Sequence, residues 1–208
     1  MHPDLWFSLP VLTGRLVRLE PLSLEHAAGY LKAAGTGSEA QEVFRWFVTP
    51  TGEAAAPVTV AQAVRQIAGL LADRARGGQL SYAMIDVENG RFAGVTGFSD
   101  INPAARRIAV GQSWLGRRWW RGDCETEASL LMLTYAFDAL GAVRVSWQAD
   151  AGDTRTAAAL QALGASREGL LRKHRLVAEG SWHDTVQYAM TDEDWPRARG
   201  PLTQRLGL

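Results

Sequence analysis

The chain has 208 residues, with 22 Lys+Arg against 22 Asp+Glu, 47% hydrophobic and 21% charged. That neutral, ordinary composition excludes a mostly disordered protein and supplies no global basic field for nucleic acid or an acidic membrane. A chain of this length buries roughly 70% of the surface it exposes unfolded, and its one cysteine, Cys124, excludes an internal disulfide and a cysteine-built zinc site.

No apolar run approaches the roughly 18 residues of a membrane span. The start, Met1-His2-Pro3-Asp4, lacks the basic-then-apolar form of a signal peptide. A cytoplasmic protein with no membrane and no nucleic-acid partner is the expectation.

The elements follow in order. Leu16 and Leu19 flank charged positions in a strand over 15–20, closed by Pro21. Ser23 caps a helix over 24–34, with Glu25 in its first turn. Residues 49–57 read as a loop. Thr59 caps the next helix, where Val60, Val64, Ile67, Ala68 and Leu71 recur at helical spacing until Gly77-Gly78. Strands over 80–87 and 92–99 are joined by Asn89-Gly90, the strongest hairpin signal in the chain. A turn at Asn102-Pro103 leads to a strand over 107–115, in which Gly111 marks a bulge or a close backbone approach. A helix runs over 125–140 to Gly141. Val143, Val145 and Trp147 alternate with polar residues as a strand, and Asp153 caps a short helix holding Leu160 and Leu163. Strands over 170–177 and 183–190 flank a turn at Glu179-Gly180, and a helical tail from Asp192 is interrupted by Pro196 and Pro201. This is a mixed α/β pattern in a single domain, 1–208.

The phosphate-loop, dinucleotide, zinc-protease and serine-elbow motifs are absent. The histidines, His2, His26, His174 and His183, are scattered, so no metal is expected. Residues 107–164 are the informative stretch. A strand with a central glycine enters an arginine-rich turn, then a long helix. Such a turn offers unpaired N–H groups and the positive end of a helix dipole, and Arg117, Arg118 and Arg121 crowd it. An anion of the pyrophosphate kind fits there.

These residues carry a resemblance. The segments L-T-G-R-L-V-R-L-E-P-L, E-V-F-R-W-F, V-G-Q-S-W-L-G-R-R-W-W, T-E-A-S-L-L-M-L-T-Y-A-F-D-A-L-G-A-V-R-V, A-A-A-L-Q-A-L-G-A-S-R-E-G-L-L-R-K-H and G-S-W-H-D-T-V-Q-Y-A-M stand in the order of the GCN5-related N-acetyltransferase (GNAT) superfamily, RimJ/RimL-like branch. The resemblance spans nearly the whole chain. It implies an α/β (α+β) fold with a mixed, mainly antiparallel sheet, a bulged fourth strand and flanking helices. It also implies acetyl-CoA as acetyl donor and direct transfer to a primary amine, on a protein N-terminus or a small molecule. By position, Gln112, Ser113, Trp114 and Leu115 become the splayed strand beside the pantetheine arm. Trp120, Arg121, Gly122, Asp123, Cys124 and Glu125 become the pyrophosphate loop. Asp153 and Thr156 take the family's N-x-x-S place, with the hydroxyl near the sulfur as thiolate acid. Backbone N–H groups near Val110 to Gln112 become the oxyanion site. Phe44 and Trp46, with Phe47, line the acceptor pocket.

The departures are specific. Asp123 stands for a glycine and Glu125 for a small residue, placing two carboxylates where phosphates are expected. Ala109 stands where many members carry a glutamate able to act as base. Plainer roles compete for the same residues. Asp123 and Asp153 are good helix caps, Trp119 and Trp120 can pack under the helix, and Cys124 is a small packed residue rather than a nucleophile. Phe44 and Trp46 suit a satellite core. His183 and Asp184, adjacent on a strand, point to opposite faces and do not pair. The leading expectation is an acetyl-CoA-dependent N-acetyltransferase without a metal. The rival is a binding or regulatory protein of the same fold whose donor site has lapsed. A homodimer is left open.

Overall fold

The computed structural model describes residues 3–46, 56–120, 122–176 and 180–208. One continuous sheet is built from β1 (Leu12–Thr13), β2 (Val17–Pro21), β3 (Leu80–Asp86), β4 (Phe92–Asn102), β5 (Arg107–Val110), β6 (Trp114–Leu115), β7 (Arg144–Asp150), β8 (Ser166–Leu176) and β9 (Trp182–Thr191). The order is β1-β2-β3-β4-β5-β7-β9-β8, with β6 paired to β4. The β5–β7 pair is parallel and the other pairs are antiparallel. The helices are α1 (Ala27–Ala34), α2 (Gly37–Phe44), α3 (Val60–Ala75), α4 (Cys124–Thr134), α5 (Thr154–Ala162) and α6 (Trp195–Leu206).

The local signals explain most of these elements. Thr59 accepts from the Gln62 amide and starts α3. Gly90 takes φ 67° in the β3–β4 hairpin, a conformation that glycine adopts without strain. The expected strand over 107–115 is broken in two, because the backbone turns out of the ladder after Val110 and re-pairs at Trp114. The helix over 125–140 ends in a π turn, Tyr135–Ala139. The tail is one helix rather than an interrupted one. Pro196 lies in its first turn, where no N–H is needed, and Pro201 faces solvent while Trp195, Leu202 and Leu206 anchor the helix in the core. Helix α2 and strand β1 carry weak local patterns and were not expected.

Two apolar layers cover the sheet. Trp6, α4 and α6 pack on one face, against sheet residues such as Phe98 and Trp147, through Met132 and Leu133 among others. On the other face α1 and α3 pack through Tyr30, Ala63, Ile67 and Trp114. Between α4 and the β1–β2 turn lies a buried charge. Glu127 is 1% exposed. Its carboxylate accepts the backbone N–H groups of Arg15 (2.9 Å), Leu16 (2.6 Å) and Val17 (2.8 Å). A side chain at Gly14 would collide with that carboxylate.

Glu127→Gln keeps the shape but turns one acceptor into an NH2 that faces backbone N–H donors. The expected loss is about 2–4 kcal/mol of stability. Urea denaturation beside Glu125→Gln, a half-exposed carboxylate of the same helix turn, as control measures it.

Candidate active site

The sheet opens into a slot where β5 ends. Strands β5 and β7 stay paired only from Arg107↔Arg144 to Ala109↔Ser146. Beyond that point β7 follows β9, while the chain after Val110 turns toward β4. The Gly111 amide donates to the Gly97 carbonyl (3.1 Å), and Gln112 takes φ 48°. The Ser113 hydroxyl lies 2.8 Å from that of Thr96. Strand β6 then approaches β4 so closely that a side chain at Gly94 would strike the Trp114 carbonyl. Two cavities, of about 270 and 350 Å³, meet across this slot and share Val110, Ser113, Trp147 and Thr156.

The first cavity opens at the start of α4, where Gly122, Glu125, Arg155 and Arg205 line it. The loop acids are neutralised there. Asp123 meets Arg205 of α6 at 2.8 Å, and Glu125 meets Arg155 of α5 at 2.9 Å. Asp123 occupies the cap position of α4 but makes no side-chain cap bond, so the capping role expected for it gives way to the pair with Arg205. Trp120 lies between the guanidinium groups of Arg117 (4.6 Å) and Arg155 (4.5 Å), and its indole donates to the Leu115 carbonyl (2.6 Å). Arg121 and Phe47 lie outside the described residues.

Asp153 caps α5 by accepting from the Thr156 amide (3.0 Å), and it also accepts the Thr156 hydroxyl proton (2.7 Å). Thr156 therefore lines both cavities with its proton already engaged. The expected oxyanion donors are narrowed. The Gly111 N–H is committed to Gly97, whereas those of Gln112 and Ser113 meet no backbone acceptor among the described residues. The Trp114 ring is buried against Tyr30 (4.8 Å) and Phe44 (4.9 Å), leaving its backbone at the slot. Phe44 is itself 4% exposed and belongs to that core, while Trp46 lines the second cavity. Cys124 is buried, and burial, with the charges of Asp86, Glu127 and Glu125, pushes its thiol up to about 12.

The second cavity leads to the polar face of the sheet that α3 leaves uncovered, a trench of about 830 Å³ past Ser99, Ala109, Ser146 and Arg175. Arg175 donates to Gln148 (3.1 Å); burial lowers its pKa while the Asp150 charge opposes that. Beside the second cavity, on β9, His183 does not pair with adjacent Asp184, as alternation requires. It lies 2.7 Å from Asp150 across the β7–β9 ladder instead. Sequence reasoning missed this pair, along with Arg155 and Arg205. Residues 33 or 82 positions from their partners are joined only by strand register or helix docking. Among the described residues, no group of three His, Cys, Asp or Glu side chains is placed to hold a metal, and no helix is long and apolar enough to cross a membrane.

A mainly antiparallel sheet split at one strand, with a helix starting at the split, is the architecture of acyl-transfer folds, and comparison with known proteins agrees. Residues 16–166 match the model of the acetyltransferase (GNAT) domain, so the chain belongs to that family. A GCN5-related N-acetyltransferase from Brucella melitensis is 28% identical, with TM-score 0.86 over 95% of this chain and 85% of that one. Mycobacterium smegmatis RimJ, solved in complex with CoA-disulfide, shares the fold with TM-score 0.78 at 24% identity, over 100% of this chain and 98% of that one. YdaF of Bacillus subtilis (strain 168), provisionally assigned as a ribosomal N-acetyltransferase, is 26% identical over 107 residues, 51% of this chain. The match spans 57% of YdaF.

The neutral, buried Cys124 thiol should resist alkylation. Iodoacetamide at neutral pH is expected to leave the native protein unmodified and to react fully once urea unfolds it. Mass spectrometry reads both.

Proposed function

We propose that the protein is an acetyl-CoA-dependent N-acetyltransferase of the RimJ/RimL-like branch, acting on a primary amine of a protein N-terminus or a small molecule. The observation that carries this reading is the slot beside Val110, entered from the arginine-lined mouth of α4 on one side and from an open polar trench on the other. A donor and an acceptor can meet there from opposite faces. Bound acetyl-CoA supplies a thioester carbonyl open to direct attack.

The residues suit that donor in part. The N-terminus of α4 offers first-turn N–H groups and a favourable dipole for phosphate. Arg155 and Arg205 line the same mouth, and each is balanced by a carboxylate that a pyrophosphate can displace. The amides of Gln112 and Ser113 suit the pantetheine arm or the carbonyl oxygen, whereas the Leu115 carbonyl is taken by Trp120. Thr156 reaches the slot, and its hydroxyl proton must leave Asp153 to protonate a thiolate.

Calorimetry with acetyl-CoA, followed by thiol release with a panel of amines, tests the reading. Absence of binding would favour a binding or regulatory protein of the same fold. Asp123→Asn frees Arg205 and should tighten CoA about 3- to 10-fold, with the gain fading in high salt. Arg205→Ala should weaken CoA by a similar factor. Unchanged affinity in both variants would place the phosphates elsewhere.

Thr156→Val keeps the shape and removes the hydroxyl. Turnover should fall about 10- to 100-fold at little cost in donor affinity if the hydroxyl supplies the thiolate proton. Full turnover in a folded Thr156→Val variant leaves water as the donor of that proton.

A further inference from the structure

Acetylation of an amine at neutral pH begins with an ammonium group that must lose a proton before its lone pair can attack. Strand β5 offers no carboxylate for this, because Ala109 occupies the trench position. The other groups near the slot are committed. Asp153 is held by Thr156, Glu42 by Arg117 at 2.9 Å, and Cys124 is buried with its thiol protonated. His174 lies 3.1 Å from Thr185 on the β8–β9 hairpin.

One pair at the mouth of the acceptor side is built differently. Asp150 ends β7, its side chain only 8% exposed, and lines the cavity of about 350 Å³ together with Trp46 and Thr156. Both of its oxygens are fixed. Oδ1 accepts the Gly152 N–H (2.8 Å) and Oδ2 lies 2.7 Å from His183 Nδ1. A carboxylate only accepts, so Nδ1 carries the hydrogen, and it is the neutral form of the ring that would present a lone pair at Nε2. Nε2 has no hydrogen-bond partner among the described residues. The His183 ring, 26% exposed, lies 6.1 Å from that of Trp46, and Trp46 packs over Gly152. Asp150 and Trp46 belong to the cavity wall, and His183 stands behind them, in contact with both and partly open to solvent. The charged groups around it are Arg175, paired across the strands from His183, His174 on the same hairpin, Glu42 in the last turn of α2 and Arg45 just after it.

We infer that His183, positioned by Asp150, receives the proton that the acceptor's ammonium group loses, through a chain of waters leading from the acceptor-side cavity around Asp150 and Trp46 to the exposed edge of the ring; the inference rests on the acetyltransferase reading above. The ammonium N–H bond breaks and its proton passes along those waters to Nε2. The freed lone pair forms the N–C bond at the thioester carbonyl, and the C–S bond breaks. The departing sulfur takes the Thr156 hydroxyl proton and the second amine proton replaces it there, so that amide, free thiol and one proton on the imidazole balance the reaction. The imidazolium then releases its proton to solvent at its exposed edge.

The test is steady-state thiol release from acetyl-CoA, with an alanine-starting tripeptide amide as acceptor probe, followed across the neutral pH range. His183→Gln should lower kcat/KM about 100-fold and flatten the acidic limb of its pH profile. Acetyl-CoA affinity by calorimetry should not change, and added imidazole should restore part of the rate. Asp150→Asn, which no longer selects the Nδ1–H form, should cost about 10-fold. Melting temperatures on the same preparations separate these losses from unfolding. A folded His183→Gln protein that keeps the wild-type kcat/KM and pH profile overturns the inference. If the wild-type protein binds acetyl-CoA yet acetylates neither this probe nor any amine of the panel, the acetyltransferase reading fails and the inference falls with it.

Discussion

The structure depends on the inability of β4 to keep one straight neighbour along its whole edge. Its far half pairs with β5 and its near half with β6, and three residues between them leave the ladder. Strand β7 is bound to β5 over three residue pairs and then continues with β9. A sheet that would otherwise be closed therefore has a wedge-shaped gap in its middle, lined by backbone groups with no strand to satisfy them. Such groups are costly to bury and normally find partners. The gap has the shape and the unpaired backbone groups that a ligand with amide-like chemistry would need, and α4 and α5 both begin beside it.

The energetics around the gap divide into two kinds. Glu127 is a buried carboxylate held by three amides, and it ties α4 to the β1–β2 turn. Breaking it costs the full penalty of stranded buried polar groups. The pairs Asp123–Arg205 and Glu125–Arg155 are partly exposed, and pairs of that kind contribute only about 0–1 kcal/mol each. They hold the mouth of the slot near neutrality, yet they are weak enough to exchange partners. Rigid support behind the helix and labile charge in front of it suit a site that admits and releases an anionic ligand at each turnover.

Trp120 and Trp46 show how the same slot is walled. Trp120 closes one end by donating to the Leu115 carbonyl while two guanidinium groups stack on its faces. Trp46 closes the other end against Gly152 and His183. Both rings are fixed by polar or packing contacts on several sides, so the walls add little conformational freedom to be lost when a ligand enters.

Much of the fold was legible in the order of residues. The Asn89-Gly90 turn, the Thr59 and Asp153 caps and the helical stripe after Val60 each act within a few residues of chain, where local geometry and the pattern of apolar side chains decide the outcome. The resemblance to acetyltransferases came from the same ordered segments, and it pointed to Gln112–Leu115, to Trp120–Glu125 and to Asp153 with Thr156. What the residues alone did not decide is which distant side chains meet. Arg205 reaches Asp123 only because α6 docks by Trp195, Leu202 and Leu206. Asp150 finds His183 only because the register of β7 on β9 sets Asp150 opposite Thr185, two residues from His183 on the same face. The break after Val110 likewise shows only in the sheet, where β4 keeps its partner on both sides of the break while β7 leaves for β9 alone. Local sequence determines an element's type and its buried face; register and docking are settled by the packing of the whole molecule, and they decide which charges are neighbours.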